Sequence, residues 1–147
     1  IFPWRGDYFK IKKAKKLNIK TLVYPAIKKN SAGLGVHLTL SLDGTLKLGP
    51  DVKTWHSKTD FSPPKNLDDL KNQFAIAARN YLPEITPNDL EYDSCGIRPK
   101  LRNFDEKVEK DFFIEKIAPN LILCSGIESP GLTASLAIAE FIENKFF

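Results

Sequence analysis

The sequence predicts an α+β fold of mixed strands and helices, and three patterns carry that prediction. Apolar residues alternate with polar ones on both sides of Asp43-Gly44, they recur every three or four residues from Asn66 onward, and near the end a strand turns directly into a helix. Length and composition allow one ordinary domain with a core of its own: 147 residues, 42% hydrophobic and 27% charged. No stretch approaches the roughly 20 apolar residues of a spanning helix, and the N-terminus lacks the pattern of a signal peptide. A cytoplasmic location is the expectation. Cys95 and Cys124 are too few and too far apart for a disulfide framework or a metal cluster and read as free thiols.

In chain order, residues 8–11 and 22–24 are short strand candidates. They flank a run of Lys10, Lys12, Lys13, Lys15, Lys16 and Lys20, which reads as an exposed loop or short helix. The alternation from Val36 to Gly49 is a hairpin. A two-residue turn at Asp43-Gly44 would split its leucines between both faces. A three-residue loop with Gly44 at the left-handed bulge position pairs Leu40 with Leu46 and Leu38 with Leu48, so one face is wholly apolar. The other face carries His37, Thr39, Ser41, Thr45 and Lys47.

Leu67, Leu70, Phe74, Ala77 or Ala78, and Tyr81 then fall on one helix face, with Asn66 as a capping residue and Pro83 as the stop. Residues 83–93 read as loop and residues 103–110 as an exposed connection. Strands at 112–115 and 121–124 follow. The last strand runs into Gly126-Ile127-Glu128-Ser129-Pro130-Gly131-Leu132-Thr133 and a final helix. Ser129 or Thr133 can cap that helix, and the glycines admit a close backbone approach. A helix start of this kind, with unpaired amides and partial positive charge, suits a phosphate or the electron-rich edge of a flavin.

The net charge of +4 rests on 18 lysines against four arginines. Solvated surface lysines explain it better than nucleic-acid binding, because arginine is the residue whose planar fork serves specific anion recognition. The absence of methionine and the apolar opening Ile1-Phe2-Pro3-Trp4 read as a segment of something longer.

Six motifs occur in order: Arg5-Gly6-Asp7-Tyr8-Phe9, Tyr24-Pro25, Gly33-Leu34-Gly35-Val36-His37-Leu38-Thr39, Leu48-Gly49-Pro50-Asp51, Gly96-Ile97-Arg98-Pro99-Lys100 and Gly126-Ile127-Glu128-Ser129-Pro130-Gly131-Leu132-Thr133. The series resembles the D-amino-acid-oxidase-like FAD superfamily, and within it the L-2-hydroxyglutarate dehydrogenase or oxidase type. The resemblance implies a mostly antiparallel mixed sheet with flanking helices over residues 1–120, a substrate and cap domain. Residues 121–147 would be a strand-turn-helix that completes the FAD-binding domain. It also implies an N-terminal dinucleotide-binding half, which this sequence lacks: no Gly-x-Gly-x-x-Gly follows a strand. FAD is then expected only when that half is supplied.

The resemblance further implies that Arg98 grips a substrate carboxylate, a task its forked donors suit. A salt bridge from Arg98 to Asp93 or Glu91 is the structural alternative. His37, on the polar hairpin face, is the candidate base for a hydroxyl proton, against the alternative of a solvent-facing strand histidine. Tyr8 and Tyr24 are candidates for lining the same cleft, and residues 126–133 are the cofactor-binding candidates. No metal site is expected. The substrate would be a small 2-hydroxy acid or amino acid, oxidised by hydride transfer to flavin. Two classes stay open: one part of a flavoenzyme completed by an N-terminal half, or a non-catalytic remnant or interaction domain that keeps the fold and self-associates or binds a partner. In either class the last helix carries an apolar face that needs a cover.

Overall fold

The alternation around Asp43-Gly44 closes in the register that buries its leucines. In the computed structural model, which describes residues 1–12, 17–26 and 35–147, strands β2 (His37–Leu40) and β3 (Leu46–Gly49) are antiparallel with Leu40 opposite Leu46 and Leu38 opposite Leu48. Gly44 takes φ +83° at the bulge, a left-handed conformation that suits glycine. Lys13, Lys15 and Lys16 of the lysine run and Gly33-Leu34 of the third motif lie outside the described residues.

Strand β1 (Phe2–Ile11) is longer than its sequence suggests and lies antiparallel to β3, with Phe9 opposite Leu48. The sheet runs β2-β3-β1-β4, where β4 is Lys53–Thr54, and β5 (Leu90–Lys100) pairs with β1. Residues 22–24 form a single bridge in place of the expected strand, Val23 exchanging hydrogen bonds with Leu38 at 3.1 and 2.8 Å. The segment read as loop through Asp93 is corrected too: a 3-10 turn at Pro87–Asp89 leads into β5 at Leu90. Pairing with β1 makes this strand, since its own apolar residues do not alternate far enough to announce it.

The chain forms two compact units. One comprises Arg5–Lys53 with Thr59–Ile97, and the other Ile1–Trp4, Thr54–Lys58 and Arg98–Phe147. The first, the hairpin unit, contains helix α1 (Leu67–Ala78), whose Leu70, Phe74, Ala75 and Ala78 are buried. They pack with Phe9, Ile11, Leu38, Leu46 and Leu48 of the sheet and with Ile85 and Leu90. Phe9 meets the edge of Phe74 at 4.7 Å and of Tyr92 at 5.6 Å. Each large apolar side chain so covered stabilises the unit by about 2 kcal/mol. Asn66 occupies the N-cap position of α1 but makes no side-chain capping bond, and the helix ends before Pro83, at Ala78.

The second, C-terminal unit pairs β6 (Phe113–Ala118) with β7 (Leu121–Ser125) through a tight turn at residues 119–120, and ends in helix α2 (Ser135–Phe146). Phe104 packs on Phe2 and Trp4 at 5.6 and 5.9 Å. No residue of α2 is buried, and Leu136 is 86% exposed. Its last turn is tied to β6 by Lys145, which donates to the Ile114 carbonyl at 3.4 Å and pairs with Glu115 at 2.9 Å.

Gly49 ends β3 with φ +131°, and a Cβ there would stand 2.6 Å from the Asp7 carbonyl oxygen and 3.0 Å from the Tyr8 ring. Gly49→Ala is therefore expected to cost about 2 kcal/mol, read as a fall of several degrees in the midpoint of thermal unfolding. An unchanged midpoint would mean that β1 and β3 yield freely at this point.

Candidate functional site

Strand register puts the hairpin unit's polar groups on one face. With Phe9 opposite Leu48 and His37 opposite Gly49, the residues Tyr8, Gly49 and His37 make one row across β1, β3 and β2, on the side away from the core. Gly49 contributes no side chain, so the row is notched between its two rings. Tyr24 stacks on His37 with ring centroids 4.3 Å apart and an interplanar angle of 20°. His37 Nδ1 lies 3.0 Å from the Gly35 carbonyl. With its proton on Nδ1 the imidazole donates to that carbonyl and keeps the Nε2 lone pair as the acceptor, the form a general base requires. The unit thus brings together three of the sequence-predicted residues: His37, Tyr24 and Tyr8.

The same face carries two ion pairs, Lys10 with Glu91 at 2.9 Å and Lys47 with Asp93 at 2.8 Å. Burial pushes the Asp93 carboxyl up, but hydrogen bonds from Lys47 and Ser94 outweigh it and hold the group below the usual carboxylate range. The two acids offered as alternative partners of Arg98 are therefore engaged elsewhere.

In the C-terminal unit, Arg98 is half-buried, and its guanidinium makes no hydrogen bond or ion pair with a described residue. The other three arginines are occupied: Arg5 by Asp7, Arg79 by the Ile85 carbonyl, and Arg102 by the Glu106 carbonyl and Glu109. A partly desolvated guanidinium with idle donors is suited to a planar anion.

The turn after β7 is built by glycines. Gly126 has φ +69°, and a Cβ on it would stand 2.5 Å from Leu101 Cγ. A Cβ on Gly131 would run into Ile127 and stand 2.7 Å from the Glu128 carbonyl oxygen, so only glycine fits this cradle. The expected capping does not occur. Ala134 is the N-cap of α2 without a side-chain bond, and the Thr133 hydroxyl donates to the Pro130 carbonyl at 2.9 Å. Ser129 lies within the turn that precedes the helix. Among the described residues the Leu132 and Thr133 amides have no backbone acceptor. Two N–H groups without a backbone acceptor, in the turn that leads into a helix and beside a glycine cradle, are chemically suited to the electron-rich edge of a flavin.

One polar cluster escaped the sequence reading. Arg5 and Asp7, both 0% exposed, face the core side of β1 and bond to each other at 2.8 and 3.0 Å. Tyr92 donates to Asp7 at 3.1 Å, Arg5 donates to the Ser62 carbonyl at 2.7 Å, and Lys53 pairs with the second Asp7 oxygen. Asp51 accepts the Asp7 N–H at 2.7 Å. The available signal was the spacing of Arg5 and Asp7, which puts opposite charges on one strand face, the face of Phe9 and Ile11.

Comparison with known proteins gives this geometry its family. A model of the family described as FAD dependent oxidoreductase matches residues 1–144. The chain is 40% identical over 152 residues to L-2-hydroxyglutarate dehydrogenase, mitochondrial, of Arabidopsis thaliana, covering 97% of this chain and 31% of that protein. It is 26% identical over 179 residues to the protein of the same name in Homo sapiens, covering 99% of this chain and 39% of the relative. It thus spans about a third of the length of these relatives. A solved structure titled dithionite reduced L-alpha-glycerophosphate oxidase from Mycoplasma pneumoniae with FAD bound shares the fold, with a TM-score of 0.73 at 23% identity, over 99% of this chain and 36% of that one. Among the described residues no helix is long and apolar enough to cross a membrane. The chain belongs to the FAD dependent oxidoreductase family, whose cofactor is FAD.

Proposed function

We propose that this chain is the C-terminal part of a flavoenzyme that oxidises a small 2-hydroxy acid of the L-2-hydroxyglutarate kind, and that residues 121–147 complete its FAD-binding domain. The observation that carries the reading is Arg98, a half-buried guanidinium with no protein partner among the described residues, in a chain 40% identical to a protein named for that substrate. Bound FAD would supply the acceptor for the hydride that leaves the substrate carbon.

The proposed role of Arg98 is to hold the substrate carboxylate through two parallel N–H donors. That of His37 is to take the hydroxyl proton at Nε2, its ring held by the Gly35 carbonyl and the Tyr24 stack. Tyr8 is proposed to flank the substrate from the far side of the Gly49 notch. In the turn, the Leu132 and Thr133 amides are assigned to the flavin edge, with Gly126 and Gly131 keeping the backbone close and Ile127, Glu128, Ser129 and Pro130 shaping it. A nucleotide-binding half is proposed as the cover for α2 and the turn before it, where Leu136 is 86% and Leu132 90% exposed. The plant and human relatives are named mitochondrial, so a mitochondrial location replaces the cytoplasmic expectation as our proposal.

A flavin titration tests the reading. The chain alone is expected to bind FAD weakly or not at all, and the chain combined with a nucleotide-binding half is expected to bind it and to bleach on addition of L-2-hydroxyglutarate. Binding by neither preparation would favour a domain that keeps the fold without the chemistry.

A further inference from the structure

Within the C-terminal unit, the cofactor turn carries a negative charge where an electron-rich ligand would be disfavoured. Glu128 sits between Gly126 and Gly131, and its carboxylate would compete with a flavin for the positive potential of the turn if left bare. It is not bare: Lys100 Nζ lies 2.9 Å from Glu128, with the two side chains only 11% and 15% exposed. The same ammonium pairs with Glu109 at 2.9 Å, and Glu109 reaches Arg102 at 3.3 Å. Arg102 in turn lies 4.2 Å from the centre of the Trp4 ring. The result is an alternating row of two acids and two bases, neutral as a whole and anchored on an aromatic side chain.

Lys100 also stands two residues after Arg98 on β5, which puts both on one side of the strand. The next residue, Leu101, fills the space that a Cβ on Gly126 would need. The strand end that bears Arg98 is therefore fastened to the turn at two consecutive residues, once by charge and once by packing.

We propose that Lys100 is a positioning residue of the flavoenzyme, neutralising Glu128 and drawing its carboxylate away from the cofactor face of the turn. The inference rests on the flavin assignment of residues 126–133. Removing the ammonium would leave Glu128 uncompensated in a poorly solvated place, where it would repel electron density on the flavin and make its reduction harder. Removing the Glu128 charge instead leaves Lys100 its second partner, Glu109, and shifts the local charge the other way.

The test uses the flavin-loaded protein that contains this chain together with its nucleotide-binding half. Lys100→Met is expected to weaken FAD binding about tenfold and to lower the flavin reduction potential. Glu128→Gln is expected to raise the potential, and the double variant Lys100→Met/Glu128→Gln is expected to recover FAD affinity to within about threefold of the parent. Lys100→Arg should keep both properties. Opposite signs for the two single variants, with rescue in the double, separate electrostatic positioning from a purely structural role. Changes of the same sign, no change, or a double variant worse than either single one would overturn the inference while leaving the flavin site intact. If Lys100→Met does not fold, the sign of the Glu128→Gln shift decides by itself. A parent protein that takes up no FAD would remove the flavin assignment, and the inference with it.

Discussion

Arg98→Met is expected to lower kcat/KM for a 2-hydroxy acid about a thousandfold, equivalent to about 4 kcal/mol, in the flavin-loaded protein. The magnitude follows from what the substrate loses. Arg98 has no protein partner among the described residues to compete for its donors, so a bound carboxylate would receive a charge-assisted, two-pronged hydrogen bond at little cost in broken contacts. Without it the carboxylate enters a partly desolvated place unpaired. Arg98→Lys is expected to recover only part of the loss, because an ammonium supplies the charge without the planar fork. Steady-state kinetics at pH 7 with a flavin spectrum as the folding control reads both. A loss below tenfold in Arg98→Met would assign the carboxylate to another residue.

The second large effect concerns stability. Asp7→Ala is expected to cost about 3–5 kcal/mol, because it strands the Arg5 guanidinium in a place with no solvent access. The double variant Arg5→Met/Asp7→Leu is expected to be more stable than Asp7→Ala, since it withdraws both charges instead of orphaning one. Chemical denaturation of the three proteins tests the order.

The same pair sets a pH dependence. Burial pushes the Asp7 carboxyl up, but hydrogen bonds from Arg5 and Lys53 and their charges outweigh burial and hold it below the usual carboxylate range. A carboxyl with a lowered folded value contributes stability above the unfolded value of about 4 and loses it as pH falls through the folded one. Asp51, pushed up by burial, has the opposite sign: its share is present at low pH and lost as pH rises through its folded value. The parent protein is therefore expected to lose stability more steeply on acidification below about pH 4 than Asp7→Ala does.

What could be read from sequence divides along physical lines. The β2–β3 register was legible because a shift of one residue would have moved Leu38, Leu40, Leu46 and Leu48 off the core face, and a period of two permits only one satisfactory answer. The buried side of α1 was legible for the same reason at a period near 3.6. Strand β5 was not: only Leu90 and Tyr92 of its first half face the core, and its outward acids are placed by Lys10 and Lys47 of other strands. The Arg5–Asp7 pair looked like a motif and nothing more, because Lys53, Ser62 and Tyr92, which make its burial tolerable, lie far along the chain. At the candidate site, the polar face of His37 followed from register, whereas the Tyr24 stack on His37 is a tertiary contact without a local signature. Capping by Asn66, Ser129 and Thr133 failed because residue type alone does not set the backbone angles that let a side chain reach back to the helix.

Helix α2 offers a last consequence. It has 12 residues, none fully buried and only Ile138, Ile142 and Phe146 half-buried, and its last turn is held by Lys145. A helix of that length with so little burial is marginal in water, so amide hydrogen exchange should be fast at Leu136 and in the preceding turn at Leu132. The amides assigned to the flavin, those of Leu132 and Thr133, belong to the turn that leads directly into this helix. Whatever covers the leucines would thus also order the groups proposed to grip the cofactor, and by thermodynamic reciprocity the cofactor would tighten the hold on whatever covers them.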